Sequence, residues 1–493
     1  LTGQVQFRNI RGMWFDGNGA WLTWDGDSVT PMFDVRGCSY CRWYDFTILN
    51  DLRHPLFVGF LTRKFNADGP NMTENHWDHV ECQGNNGSIG FCWLVGVGDQ
   101  TGNNEFHHWT NCRASNYADA AVAITSGVNS KQHVFVANAF GGDGFGLRGV
   151  TSYAAFHSVN ILAIGRSTLT AAGGTTVVSD VLDRKYGTAS NAITIPAATT
   201  GVIATGGLGL QSPFLPLTGF TDATVWVKSA VALASGDYQV LLRDNTAVTV
   251  ATLDVPAVAA NTWTYAVISL PGPPPTGINS VAINIAVDKG ANTLKLQHLR
   301  ARRSGFAGAA VSPSGAATSF HWKNGSMGNH LITDFELANI TDTITIEGVD
   351  SENSPRQVVL AALQDDVTLA ANTHPLPAFP VHLSGIRANS VASSTATDGD
   401  SMIFDTNGPV TLADSTFRSD YRPVRFRVWG GAGATGAGTI ADASGLLMLS
   451  GVQLRDMLVP SLPVLDRISL TVTNLFPDFG SELQLDAGDS GWV

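Results

Sequence analysis

The sequence predicts an all-β protein: a parallel β-helix interrupted by an antiparallel β-sandwich and closed by a C-terminal cap of strands. Three observations predict it. Short runs rich in Val, Ile, Phe, Trp and Thr, separated by Asn, Gly and Asp, fill the chain from end to end. One hexapeptide pattern recurs through the first third of the chain. A second texture, strict alternation, occupies the middle. No helix of convincing length carries caps; the best candidate, Arg356 to Leu363, is only about two turns long.

Composition excludes other classes. Of 493 residues, 14% are charged, 44% are hydrophobic and 52 are Gly, which rules out both a disordered chain and a charge-rich helical bundle. Every apolar run is broken by Asn, Asp or Gly before reaching the length of a membrane span, so membrane insertion is not expected. The formal net charge of −12 argues against a nucleic-acid partner. The densest basic stretch, Arg300, Arg302 and Arg303, is too short for a phosphate footprint. Five cysteines, Cys38, Cys41, Cys82, Cys92 and Cys112, are an odd set. Cys38 and Cys41 have half a zinc spacing without the other half, so buried free thiols are expected, in keeping with folding in a reducing cytosol. No signal peptide precedes the strand-like segment at Leu1, and an additional N-terminal part is expected.

The repeat sets the first part, residues 1–205. Val5 to Ile10, Cys41 to Phe46, Asn75 to Val80, Asn104 to Trp109 and Ala154 to Val159 each carry a large apolar residue, two mostly polar residues and a second apolar residue. Lys131 to Val136 is a weaker copy. Spacing shrinks from 36 to 23 residues between copies, which rejects a strict solenoid and fits a parallel β-helix whose rungs tolerate turn insertions. An array of β-sandwiches is the plainer alternative. Cys82 and Cys112 fall near one inward column.

From 206 to 303 the text alternates, as in Ser280 to Val287, which reads as a half-buried antiparallel strand. Thr224 to Ala230, Tyr238 to Arg243, Thr262 to Leu270 and Thr293 to Arg302 read as its companions in a sandwich, with Pro271 to Pro275 as a rigid loop. Rung-like text resumes at Thr318 to Trp322, so the sandwich is an insert and 304–460 is the second part of the β-helix. Residues 461–493 are expected to cap its open edge.

Irregular rungs, an inserted sandwich, no secretion signal and a Gly-, Ala- and Ser-rich distal part together resemble bacteriophage tailspike proteins. More broadly they resemble the pectate-lyase-like right-handed β-helix superfamily. The insert is similar to carbohydrate-binding modules, above all at Asn261 to Tyr265, Thr293 to Gln297 and Leu299 to Ala301. The Asp-Phe-Gly-Ala-x-Gly-Asp-Gly start common in the superfamily is absent. The resemblance implies a right-handed helix, a homotrimer on a virion tail or otherwise outside the cell, and binding of a bacterial surface glycan, often with its cleavage. Catalytic positions vary within the family, so no residue is carried over by motif.

Glycan hydrolysis needs two carboxylates; elimination at a uronate needs a base and a neutralising cation. Taking the second apolar residue of each copy (Phe46, Val80, Trp109, Val159) as the inward anchor requires a bend between the two apolar positions. It then puts Asn9, Asp45, His79, His108 and Ser158 in one outward column, and Arg11, Thr47, Glu81, Thr110 and Asn160 in the next. Asp45 and Glu81 become diagonal neighbours, roughly 7–8 Å apart on a sheet, which suits inverting hydrolysis. They are the first catalytic candidates, with Asp78 and Glu105 next. His79 and His108 are candidates for sugar hydroxyls or a lyase base, and Arg113 for a uronate. Trp14, Trp21 and Trp24 cluster in one loop as a glycan platform. Trp226, Trp263 and Tyr265 of the insert read as core before ligand contacts, and Asp143 as a turn residue. No cofactor is expected. Asp16-Gly17-Asn18-Gly19 and Asp68-Gly69-Pro70-Asn71 offer oxygens to Ca2+ without a full loop signature.

These residues support three readings: a polysaccharide depolymerase (hydrolase or lyase), a non-catalytic glycan-binding spike, and a structural virion protein.

Overall fold

The computed structural model describes residues 1–63, 72–96, 104–124, 130–149, 157–162, 169–181, 183–184, 189–210, 213–303, 318–330, 332–337, 342–354, 356–360 and 380–389, and beyond them the segments 400–405, 409–418, 422–427, 445–450, 453–455, 468–473 and 476–477. None of these is helical, so among the described residues no helix is long and apolar enough to cross a membrane. Val358–Leu360, inside the best helical candidate of the sequence, is a strand.

Two long sheets of parallel strands form the body. One orders Val5–Arg8, Phe33–Arg36, Leu56–Arg63, Ile89–Val95, Tyr117–Ile124, Phe145–Gly149, Thr333–Leu337 and Val358–Leu360 before its last two strands. The other orders Trp14–Thr23, Arg42–Leu49, His76–Gln83, His108–Thr110, Ser130–Gly141, Thr318–Gly328, Ile344–Glu352 and Val381–Ser384, and continues to Ile468–Thr473. The chain alternates between the sheets, so each coil adds one strand to each. Within the 461–493 segment expected as a cap, Ile468–Thr473 pairs as one more parallel strand on Gly445–Ser450.

The large apolar residues make this work because they stack in register between the sheets. Phe15, Trp43, Trp77, Trp109, Phe135 and Trp322 occupy one inward column. Trp77 and Trp109 stack at 4.9 Å, and Trp109 and Phe135 at 4.5 Å. The indole N–H groups of Trp43, Trp77, Trp109 and Trp322 are buried without an acceptor. Each such loss costs about 1–3 kcal/mol, but a ring of this size buries roughly 150–250 Å2, worth about 4–6 kcal/mol at ~25 cal/mol per Å2, so burial wins.

A bend separates the two inward positions of each coil. Its residue has left-handed backbone: Asp45 (φ 52°), His79 (52°), Asn111 (51°), Ala137 (54°) and Asn324 (55°). Asp and Asn are among the residues that enter this region most readily. The turn lets both Trp43 and Phe46 face inward, at 0% and 2% exposure, although they are an odd number of residues apart.

Four copies of the repeat differ from the sequence alignment; in the weaker one Phe135, not His133, stands in the column of Trp77. Val5–Arg8 belongs to the other sheet, paired with Phe33–Arg36, so Asn9 and Arg11 are not in the column of Asp45 or Thr47. The true first-coil partner of Arg42–Leu49 is Trp14–Thr23. His108 pairs with His76, not His79, and Trp109 with Trp77, not Val80. The slip arises because Phe106, an exposed corner residue with φ 57°, imitates the first apolar position that Trp109 holds. Val159 lies in an antiparallel strand opposite Ala301, which takes Ser158 and Asn160 out of the columns; residues 154–156 of that copy lie outside the described residues.

The antiparallel part has two sheets. One holds Thr176–Asp180, Ser190–Ile195, Asn292–Arg303, Asp222–Ser229 and Thr264–Ser269, with His157–Leu162 beside Asn292–Arg303. The other holds Thr170–Ala171, Gly201–Gly207, Ser280–Ile285, Tyr238–Arg243 and Thr249–Asp254. Between them lies an aliphatic core that includes Ile193, Val225, Leu242, Val281, Ile283 and Leu296. The pairing draws in strands from His157 onward, ahead of the boundary at 206 read from the sequence; these early strands resemble rungs in composition and differ only in their partners.

The outer side of the first antiparallel sheet packs on the coiled body. Trp226, Trp263 and Tyr265 meet Phe57, Leu61, Phe91, Leu94, Ala123 and Phe145. Arg300 donates to the Ala118 carbonyl at 2.6 Å and to Asp119 at 3.0 Å. Beyond the insert the coil resumes, with Phe135 opposite Trp322. A buried polar chain spans this seam: Tyr117 Oη lies 2.5 Å from His330 Nε2, and His330 Nδ1 lies 2.6 Å from Asp334. All five cysteines are free and buried.

Candidate functional site

The outer face of the second sheet has a groove of about 410 Å3 where the bend meets the following strand residues. Its walls come from successive coils: Gly19 from the first, Asp45 and Thr47 from the second, His79 and Glu81 from the third, Asn111 and Arg113 from the fourth. Strand register explains the convergence. Trp21, Thr47, Glu81 and Arg113 share one outward column, and Asp45, His79 and Asn111 share the bend. Left-handed backbone turns these last side chains away from the core, beside the column that follows.

The first coil shapes the upper wall. Between Asp16 and Ala20 it carries three residues, Gly17, Asn18 and Gly19, where the next coil has Asp45 alone. Gly17 presses against the second coil so closely that a Cβ there would sit 2.4 Å from Phe46 Cβ and 2.7 Å from the Asp45 carbonyl. Only glycine fits. Asp16 Oδ1 accepts the Asn18 N–H at 2.9 Å, so this acid shapes the turn. Among the described residues no three His, Cys, Asp or Glu side chains converge on a metal position; the 68–71 segment lies outside the described residues.

His79 is half exposed and its Nδ1 lies 2.7 Å from Asp78 Oδ1. Its ring meets Tyr44 edge-on at 5.8 Å between centroids. A carboxylate at Nδ1 selects the Nδ1–H tautomer and leaves Nε2 as a proton acceptor. Arg113 is exposed and has no ion-pair partner among the described residues. The groove therefore combines two carboxylates, an oriented imidazole and an unpaired guanidinium.

Asp45, Glu81, His79 and Arg113 thus line one groove, and Asp78 stands behind His79. Glu105 does not join them: it pairs with Thr73 in a two-stranded ladder at another corner of the coil. His108 sits on His76 outside the groove, their rings stacked at 4.3 Å. Trp14 and Trp21 are 68% and 75% exposed, whereas Trp24 is buried at 3% with its indole N–H on the Asp27 carbonyl, so it is core and not platform. Sequence reasoning missed His76 and Tyr44. The signal was present: the dipeptides His76-Trp77, His108-Trp109 and His321-Trp322 all fall in register with one column.

No family model matches the chain, and no curated protein matches it. Among solved structures it is similar to carbohydrate-binding and glycoside hydrolase modules. One is the CBM22-1 and GH10 module pair of Clostridium thermocellum xylanase 10B with xylohexaose, at 14% identity over 29% of this chain and 27% of that one, TM-score 0.21. A second is the CBM22-1 xylan-binding domain of Paenibacillus barcinonensis Xyn10C, at 15% identity over 31% of this chain and 99% of that one, TM-score 0.22. A third is a D114A mutant of the family 29 carbohydrate-binding module CBM29-2, at 9% identity over 31% of this chain and 94% of that one, TM-score 0.20.

Proposed function

We propose that this chain is a tailspike-like polysaccharide depolymerase: a right-handed parallel β-helix, trimeric and displayed on a virion tail or otherwise outside the cell, that binds and cleaves a bacterial surface or extracellular glycan. One observation carries the reading, the joint presence of Asp45, Glu81, His79 and Arg113 in one outward groove. A hydrolase would use the two carboxylates as acid and base. A lyase would use His79, held by Asp78, as the base and Arg113 against the uronate charge. Trp21, in the column of Thr47 and Glu81, supplies a flat apolar face to a sugar ring.

The test is incubation with a panel of capsular and extracellular polysaccharides, following chain length and the absorbance of unsaturated uronates. Shortening with absorbance identifies a lyase, and shortening without it a hydrolase. Binding without shortening replaces the enzyme by a glycan-gripping spike. No binding across the panel removes the glycan reading and leaves a structural role.

A further inference from the structure

The exposed aromatic side chains among the described residues are Trp14, Trp21, Tyr40 and Phe106, and all four stand on the first four coils. Trp21 belongs to the column of the groove. The other three surround a second patch, nearer the start of the same strands. There Trp14, Arg42, His76 and His108 share one outward column. Two residues before Arg42 and His108 come Tyr40 and Phe106, at corners with φ 58° and 57°. Left-handed backbone is uncommon for bulky residues and costs about 1–2 kcal/mol each. Apolar burial does not repay it here, since these rings are 41% and 37% exposed.

The polar groups between the aromatics are also unspent. Arg42 and Arg11 have no ion-pair partner among the described residues, whereas Arg36 and Arg63 both hold Asp34. Arg11 lies over the Tyr40 ring at 4.9 Å. His76 and His108 stack with planes 4° apart, and neither ring has a hydrogen-bond partner among the described residues. Burial, then His108 and Arg42, push the His76 imidazole down to about 4, so it is neutral near pH 7 and offers one donor and one acceptor. Glu74, at the corner between Tyr40 and Phe106, Glu105 beside Phe106, and Asp78, whose charge reaches His76, are the acidic groups near the patch.

We propose that Trp14, Arg42, His76 and His108, flanked by Tyr40 and Phe106, form a second carbohydrate subsite that takes a hexuronate residue. The sugar ring lies on Trp14, its carboxylate on the Arg42 fork, and its hydroxyls on the two imidazoles. An exposed indole matches the apolar face of a pyranose, and a planar guanidinium matches a carboxylate bidentately. Arg42, a guanidinium without an ion-pair partner among the described residues and the column neighbour of Trp14, is the group that favours an acidic sugar over a neutral one. The inference rests on the glycan-binding reading above and names the sugar class for a site that the groove does not contain.

Saturation-transfer NMR on the full chain, with sodium D-glucuronate and D-galacturonate against D-glucose and D-galactose, tests it. Transfer to a uronate should exceed transfer to its neutral counterpart. Arg42→Gln should weaken uronate binding roughly tenfold, the worth of a charged hydrogen bond, and Trp14→Ala comparably, while a thermal melt verifies that each variant folds. Arg42→Lys, which keeps the charge and loses the fork, should be intermediate. Equal transfer to acidic and neutral sugars overturns the proposal. So does uronate binding that persists in both variants but vanishes in Arg113→Gln, since the groove would then be the uronate site. The depolymerase reading stands or falls separately: variants that lose uronate binding while a neutral polysaccharide is still cut separate the two sites.

Discussion

His76 and His108 hold the same register position on adjacent coils, with ring centroids 4.3 Å apart. The stack follows the register in which the third and fourth coils overlay, and that register sets which side chains share the neighbouring groove. Glu81 and Arg113 become opposite residues, and Thr47 precedes them in the same column.

The first prediction concerns the groove. Asp45→Asn and Glu81→Gln should each lower polysaccharide cleavage by about 100-fold or more, the usual worth of a positioned acid or base, with folding intact because both side chains face outward. Reducing-end release measures it. Wild-type rates in both variants discard the pair as catalysts.

Acid should loosen the protein before carboxylates titrate. His107 and His133 are fully buried and stacked, with both Nε2 atoms lacking a partner. Burial, followed by the nearby imidazole of His108, pushes His133 down to about 3, and burial pushes His107 well down too. A folded value below the unfolded one, near 6.5, means the unfolded chain takes up more protons in that window. Stability is then full above about pH 6.5 and falls as pH drops toward 3. At pH 5 the loss from His133 is about 2 kcal/mol, and His107 acts in the same direction. Urea midpoints at pH 7.5 and pH 5 measure it, and His133→Phe should shrink the difference. A midpoint that does not move between the two pH values rejects the account.

Two tryptophans should respond oppositely to truncation. Trp77→Ala, at a site with 0% exposure, should cost about 3–5 kcal/mol. Trp21→Ala, at 75% exposure, should change stability by less than about 0.5 kcal/mol and yet weaken glycan binding. Denaturation and glycan pull-down, run on both variants, give four numbers. Unchanged binding in Trp21→Ala removes that ring from the site.

Arg300→Met should loosen the sandwich from the coiled body. It leaves Asp119 and the Ala118 carbonyl without this donor in a buried place, a loss of about 3–5 kcal/mol for a broken buried pair. Differential scanning calorimetry is the measurement. A melt superimposable on the wild type means the clamp carries no stability.

Much of the architecture was legible because local chemistry set it. Alternating Val, Ile and Trp announced strands, and the odd spacing of Trp43 and Phe46 demanded a bend, which falls at Asp45. The adjacency of Thr47 and Glu81 followed from that spacing. What was not legible depends on partners rather than on composition. Phe106 and Trp109 are both bulky and aromatic, and only hydrogen bonding to the neighbouring coils tells a corner from a rung. Val159 has the text of a rung, but its partner is Ala301, at the far end of the inserted region. Trp14 and Trp21, read from the sequence as one loop with Trp24, stand on the strand Trp14–Thr23, whereas Trp24 follows it, buried, with one local bond to the Asp27 carbonyl.

The strand that enters the inserted region and the strand that leaves it run side by side, His157 opposite Arg303. Such a closed base makes the region exchangeable in principle, like a cassette whose two ends occupy one socket. A replacement of any length could be spliced there while Phe135 still met Trp322 across the junction. The restriction lies elsewhere: whatever is grafted in must shield Phe57, Phe91 and Leu94, or the flank of the coil becomes an adhesive surface.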